Sequence, residues 1–188
     1  MKVSCNWLKE LVEFDLSPRA LADKLTMVGL AVDRVEKADD DFILELDLTS
    51  NRPDCLSHLG VAREIAVICG TALHSPETRC EEADREAAHV TSVEILDPDL
   101  CPRYAARMIM GVRVGPSPDW VVEKLDKLGQ RSINNVADIT NLVLLELGHP
   151  LHAFDFQKLV GRRIVVRRAR AGELLKTCLL YTSDAADE

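Results

Sequence analysis

The chain has 188 residues, room for one large or two small domains, and 47% of them are hydrophobic with a mean hydropathy near zero, as expected of a soluble globular protein. Only 4% are aromatic, so the core must be mainly aliphatic. The net charge of −8 is uneven: residues 1–89 carry −8, residues 90–177 carry +3 and residues 178–188 carry −3, so only the second half tolerates phosphate nearby.

No run of 18 apolar residues occurs, and the opening MKVSCNWLKE is charged by its second residue and has no apolar h-region. Neither a secreted nor a membrane-spanning chain is expected. Cys5, Cys55, Cys69, Cys80, Cys101 and Cys178 form no CxxC pair, and no histidine stands at ligand spacing from a second such pair. No metal is expected, and scattered single thiols fit a reducing cytosol.

In chain order, Ser17-Pro18 opens a helix with a capping hydroxyl and a proline at its first position. Leu21, Leu25 and Val28 space its apolar face, and Gly29 suits a left-handed stop. Leu30 to Val35 and Phe42 to Leu48 alternate apolar and polar residues around the acidic turn 38–41, which predicts a hairpin with one buried face. Asn51 to Pro53 form a turn, and Asp54 is expected to cap a helix with Leu56, Leu59, Ala62, Ile65 and Ala66 inward and a stop at Gly70. These elements make a first unit over residues 1–73. The polar stretch 74–89 reads as a linker. A second unit over 90–177 is expected to hold strands at Val90–Leu96 and Arg103–Val114, a helix from Ser117-Pro118 to Gly129, a helix near Val136–Leu147, and a strand at Ile164–Arg168. Mixed strands and helices in both units predict an α+β class.

His152 follows Pro150-Leu151 in a loop, so its imidazole is not committed to a helix face and could orient a water or contact a ribose hydroxyl. A lone histidine is as readily a structural one bonded to a backbone carbonyl. Arg131 follows the Gly129 stop, and its planar fork suits a phosphate or a carboxylate, or simply solvent. Asp138 and Asn141 share a helix face, with Asn135 as a candidate cap and Asp138 as its partner; Thr140 and Asn141 are less readily explained as caps. In GRRIVVRRAR, strand alternation sends Arg167 and Arg168 to opposite faces around a buried Ile164–Val166 centre, which disfavours a single RNA-facing stripe.

Three stretches in order carry a resemblance. NWLKE followed by LADKLTMVG has the form of an NWLKE helix and an LxxxLTxxG helix. TSNRPDCLSHLGVARE matches TxNRPDCLSxxGxARE, which reads as a packing motif, and GQRSINNVADITNLVLLELGHPLHAFD matches GxRSIxxxxDxTNxxxLELGxPxHAFD. Together they resemble the β subunits of bacterial phenylalanyl-tRNA synthetases over essentially residues 1–177. The resemblance implies a small N-terminal α/β unit and the first part of a B3/B4-type editing domain. It implies a fragment of a cytoplasmic enzyme, an α2β2 heterotetramer with the synthetase α subunit, that charges tRNA-Phe. It also implies half of the site that hydrolyses mischarged tyrosyl-tRNA, with His152 and Arg131 in the editing pocket and Thr140 and Asn141 as secondary substrate-binding residues. No cofactor is then expected on this fragment, since ATP and Mg2+ serve the complete enzyme on its α subunit. Neither membrane nor DNA is implied.

The chain departs from the pattern in one large respect. An oligonucleotide-binding barrel usually lies between the LxxxLTxxG helix and TxNRPD, and here only Ala31 to Leu48 fill that interval, as in a short form. Ala137 and His149 also stand where valine and glutamine are usual. The tail CLLYTSDAADE, residues 178–188, reads as the translation of a transposase-type sequencing adapter, an artefact expected to lack fixed structure, so native coding is expected to end near Thr177. Two rival readings are a free-standing trans-editing deacylase domain and a non-enzymatic RNA-binding or assembly module. The NWLKE unit argues against the first and the acidic first half against the second.

Overall fold

The computed structural model describes residues 1–176 and 182–184. They divide into two units, each built from separate stretches: Met1–Cys80 with Arg113–Ala153, and Glu81–Val112 with the chain from Phe154 onward. The mixed α+β class is as expected, but these units are discontinuous and differ from the sequential ones expected at 1–73 and 90–177. Helices expected in the second unit pack instead into the core of the first.

In the first unit, β1 (Lys2–Ser4), β2 (Ala31–Ala38) and β3 (Asp41–Asp47) form an antiparallel sheet in the order β1-β3-β2. The Ser4 hydroxyl caps α1 (Cys5–Leu11) by accepting from Trp7 N at 3.0 Å, and it donates to Asp41 Oδ2 at 2.5 Å. Asp41 also accepts from the amides of Asn6 and Phe42, so one buried carboxylate docks the start of α1 on the sheet. The expected hairpin forms around a left-handed Asp39, with a bulge between Val32 and Arg34. Its β3 strand is not one-sided, because Ile43, Leu44 and Leu46 are all buried. As the central strand it is covered on both faces: Leu44 and Leu46 join the main aliphatic core, and Ile43 joins Trp7, Leu128, Leu142 and Leu145.

The helix α2 (Pro18–Met27) is capped by Ser17 as expected, with Leu21 and Leu25 fully buried, but Val28 lies outside the helix and is exposed. The helix α3 (His58–Cys69) stops at a left-handed Gly70, also as expected. Its cap is Ser57, which accepts from Gly60 N at 3.0 Å; it is not Asp54. A short 3-10 turn at Pro53–Cys55 delays the helix, leaves Leu56 exposed and turns Asp54 toward Arg52. His58, Val61, Ala62 and Ile65 form the buried face.

The helices α4 (Asp119–Lys127) and α5 (Asn135–Leu147) complete this unit. Ser117 does not cap α4, whose N-terminal flank is Pro118 without a side-chain cap. The cap of α5 is Asn134, which accepts from the amides of Val136 and Ala137, and Asn135 ties down Arg113 and Gly115 instead.

His58 joins these parts. Its ring is fully buried and stacks on Trp7 at 4.1 Å. Nε2 accepts from Ser4 N at 3.1 Å, so the proton must sit on Nδ1, which donates to Leu145 O at 2.8 Å. Trp7 Nε1 donates to Glu146 at 2.8 Å, and Lys124, paired with Glu10, lies 4.5 Å from the centre of the Trp7 ring.

In the second unit, β4 (Ser92–Ile95) pairs in parallel with β5 (Arg163–Val166), a shorter strand than expected. Arg168 leaves the strand because Asp97 and Asp99 pair with it, and Arg167 is bound by Glu173 at 2.8 Å. The centre of β5 is half-covered, with Val165 exposed at 37%. The expected strand at Arg103–Val114 is absent: no ladder among the described residues includes this segment, and Ile109, Met110, Val112 and Val114 are exposed. Alternating apolar character cannot make a strand without a partner for its amides. A hairpin of β6 (Leu174–Lys176) and β7 (Thr182–Asp184) corrects part of the expectation for the tail, since ladder pairing orders Thr182–Asp184; residues 178–181 and 185–188 lie outside the described residues. Among the described residues no helix is long and apolar enough to cross a membrane.

Two predictions follow from this packing. A Cβ on Gly60 would lie 2.0 Å from the Asp54 carbonyl oxygen, so Gly60→Ala is expected to cost about 2 kcal/mol or more in thermal unfolding. An unchanged Tm would show that the NRPD turn can move aside. Burial pushes the His58 pKa down from 6.5 to about 4; the Leu145 bond and Asp41 oppose this, and Lys124 adds to it. The unfolded chain therefore binds the extra proton first. His58 contributes stability that is fully present above pH 6.5 and is lost as the pH falls toward 4, by about 3 kcal/mol in all. Denaturant unfolding at pH 7 and pH 4.5 should show that slope, and it should be flattened in His58→Asn.

Candidate functional site

All four candidate residues lie in the first unit, around α5. Asp138, at the fourth position of that helix, is fully buried and accepts from Ser117 Oγ at 2.5 Å, Ser132 Oγ at 2.6 Å and Ile133 N at 2.8 Å. Burial alone would raise its pKa, but the two hydroxyls and the amides outweigh that and hold the carboxyl below its ordinary value. Asp138 is therefore not the partner of a cap at Asn135. It pins the loop that precedes the helix, and its oxygens are used up in doing so.

That loop carries Arg131. The guanidinium is exposed and makes no ion pair or hydrogen bond among the described residues, while its neighbours Ser132 and Ile133 are held by Asp138. A fixed backbone with an uncommitted planar cation suits recognition of a phosphate or carbonyl oxygen.

Thr140 and Asn141 lie midway along α5 but not on one face. At about 100° per residue, Thr140 points away from the packed side made by Asp138, Leu142 and Leu145, and it shares its side with Val136, Val143 and Leu147. Its hydroxyl donates back to Ala137 O at 2.7 Å, which leaves only its lone pairs for another group. Asn141 lies on the shoulder beside Asp138, as expected, half-buried and with no side-chain hydrogen bond among the described residues.

His152 is exposed in the loop after Gly148, whose φ of 73° ends α5. Arg131 and His152 thus stand beyond opposite ends of a helix that rises about 20 Å over its 13 residues. The helix by itself does not bring them together. Any convergence depends on the path of the loop through Pro150.

The NRPD segment has the packing role expected of it. Arg52 reaches Asp54 at 2.9 Å, Glu64 at 2.6 Å and Cys55 Sγ at 3.0 Å. Among the described residues, Asp54, Cys55 and Glu64 bring possible ligand atoms within 4.8 Å of one another, but the guanidinium already serves as their cation. Arg52 holds the Asp54 carboxyl at about 2, and burial pushes the Cys55 thiol up to about 11, so the guanidinium faces two carboxylates beside a protonated thiol. The sequence reading missed His58. Its only sequence cue was a position one residue after the serine that caps α3, and its partners lie 54 and 87 residues away.

The chain matches the B3/4 domain family over residues 100–183. It is 58% identical over 137 residues to the phenylalanine–tRNA ligase beta subunit of Syntrophotalea carbinolica, covering 73% of this chain and 17% of that protein. The corresponding protein of Moorella thermoacetica is 55% identical over the same shares. That of Rhodopirellula baltica is 41% identical over 198 aligned positions, covering 99% of this chain and 29% of that protein. The chain spans less than a third of the length of these relatives. With the NRPD and GQRSI-to-HAFD segments held in one folded unit, and with identities of this size over most or all of its residues, the chain belongs to the phenylalanine–tRNA ligase beta subunit family.

Proposed function

We propose that the chain is part of the β subunit of a phenylalanine–tRNA ligase and holds half of a site that hydrolyses tyrosyl-tRNA-Phe. The observation that carries this reading is Arg131, an exposed guanidinium left without a partner among the described residues on a loop that Asp138 holds rigid, in the same unit as the loop imidazole of His152. Hydrolysis of an aminoacyl ester needs a water placed against the carbonyl carbon and a cation or donor near the oxygen that gains charge. In this reading His152 orients the water and accepts its proton, Arg131 holds the tRNA 3′ end or the ester carbonyl, and Thr140 and Asn141 line the approach. The ester C–O bond breaks, tyrosine leaves as its carboxylate, and the tRNA hydroxyl takes up a proton. No cofactor is needed for this step.

The complete enzyme is proposed to charge tRNA-Phe in the cytoplasm as an α2β2 assembly, with ATP and Mg2+ used on the α subunit. The alignment of the Rhodopirellula baltica relative along 99% of the chain supports a short form without the oligonucleotide-binding barrel. A free-standing editing domain fits less well, because α5 shares its core with α1 and β3 at the N-terminus.

In the complete two-subunit enzyme, His152→Ala is expected to slow deacylation of tyrosyl-tRNA-Phe by about a hundredfold and to leave phenylalanine activation intact. Arg131→Ala should act in the same direction, mainly through KM. Deacylation retained in His152→Ala, or loss of activation instead, would overturn the assignment.

A further inference from the structure

We infer that His58 is a positioning residue for the hydrolytic site: from the N-terminal segment it holds the last turn of α5 and so sets where the loop bearing His152 leaves that helix. The inference rests on the hydrolytic reading above and deepens it. The last four carbonyls of an α-helix have no donor within the helix. One of these on α5 is Leu145 O, and His58 Nδ1 supplies its donor at 2.8 Å.

The neighbouring contacts run the same way. Glu146 accepts from Trp7 Nε1 at 2.8 Å, and the Trp7 ring stacks on the His58 ring. Gly148 turns left-handed against Ser57, so closely that a Cβ there would lie 3.2 Å from the Ser57 Cβ. Residues 145 and 146 are thus bonded by residues 58 and 7, residue 148 lies close against residue 57, and His152 follows four positions later. Pro150 limits the backbone in between. A shift in the end of α5 is therefore passed on to the imidazole.

The two ring nitrogens do different jobs, which separates positioning from mere core filling. An asparagine at 58 can keep an N–H near the place of Nδ1. A glutamine reaches to the place of Nε2, keeps an acceptor for Ser4 N and loses the donor to Leu145. In the complete two-subunit enzyme, His58→Asn is expected to deacylate tyrosyl-tRNA-Phe with a kcat within about threefold of the parent. His58→Gln should lower kcat ten- to a hundredfold with KM unchanged, as roughly ångström misplacement of a reacting group does. Phenylalanine charging should be unaffected in both. Trp7→Phe keeps the stack and removes the bond to Glu146, and its kcat should fall between those of the two His58 variants.

Equal loss in His58→Asn and His58→Gln, or a parallel loss of charging, would overturn the inference and leave a histidine that only fills the core. If His58→Gln fails to fold, Trp7→Phe decides: reduced kcat supports positioning, and unchanged deacylation overturns it. His152→Ala in the same series separates the two readings. Deacylation that survives His152→Ala sinks the hydrolytic reading itself, whereas its loss beside an unimpaired His58→Gln sinks only the role of His58.

Discussion

Burying a histidine is unfavourable unless both ring nitrogens find partners, because each leaves a hydrogen bond behind in water. His58 meets that condition in one way only: neutral, protonated on Nδ1, with Ser4 N on one side and Leu145 O on the other. Three stretches far apart in sequence, the β1–α1 junction, the start of α3 and the end of α5, therefore meet on one ring. The stack of Trp7 on that ring and the bond from Trp7 to Glu146 repeat the connection. Without it, the second face of β3 would lose its cover, since Ile43 is buried by the same Trp7 and by Leu142 and Leu145.

The other buried polar groups follow the same rule and explain which side chains remain for chemistry. Asp41 is consumed by Ser4, Asn6 and Phe42, and Asp138 by Ser117, Ser132 and Ile133. The half-buried Arg52 is likewise held by Asp54, Cys55 and Glu64. A buried carboxylate already held by three donors is not presented to a substrate. Its effect is to fix backbone, and Asp138 fixes the loop of Arg131. The exposed candidates around α5 are displayed on a frame built from charged groups that have already been neutralised.

Much of the architecture was legible from local signals. The Ser17-Pro18 helix start, the acidic hairpin turn and the stops at Gly29, Gly70 and Gly129 depend on capping hydroxyls, a fixed proline φ and left-handed glycines, all properties of a few adjacent residues. Errors arose where several residues could do the same local job. Asn134 and Asn135 are both adequate caps, and only the demand of Arg113 and Gly115 for a partner assigns Asn135 elsewhere. Ser57 prevails over Asp54 because Arg52 claims the carboxylate. Residues 103–114 have a strand-like composition, but pairing is a property of two segments, and no ladder among the described residues includes this one.

Local chemistry along the chain determined the Ser17-Pro18 helix start, the glycine stops, the acidic hairpin and the motifs that carry Arg131, Thr140, Asn141 and His152, because each depends on neighbours within a few residues. Only the tertiary structure decided which unit those motifs belong to, since the choice rests on contacts such as His58 with Leu145, 87 residues apart. Only it showed that Thr140 and Asn141 lie on different sides of α5 and that Arg131 and His152 stand beyond its opposite ends. It also decided that Asp138 is committed to backbone and hydroxyl donors. A side chain's availability depends on every group folded around it, and spacing along the sequence does not record that.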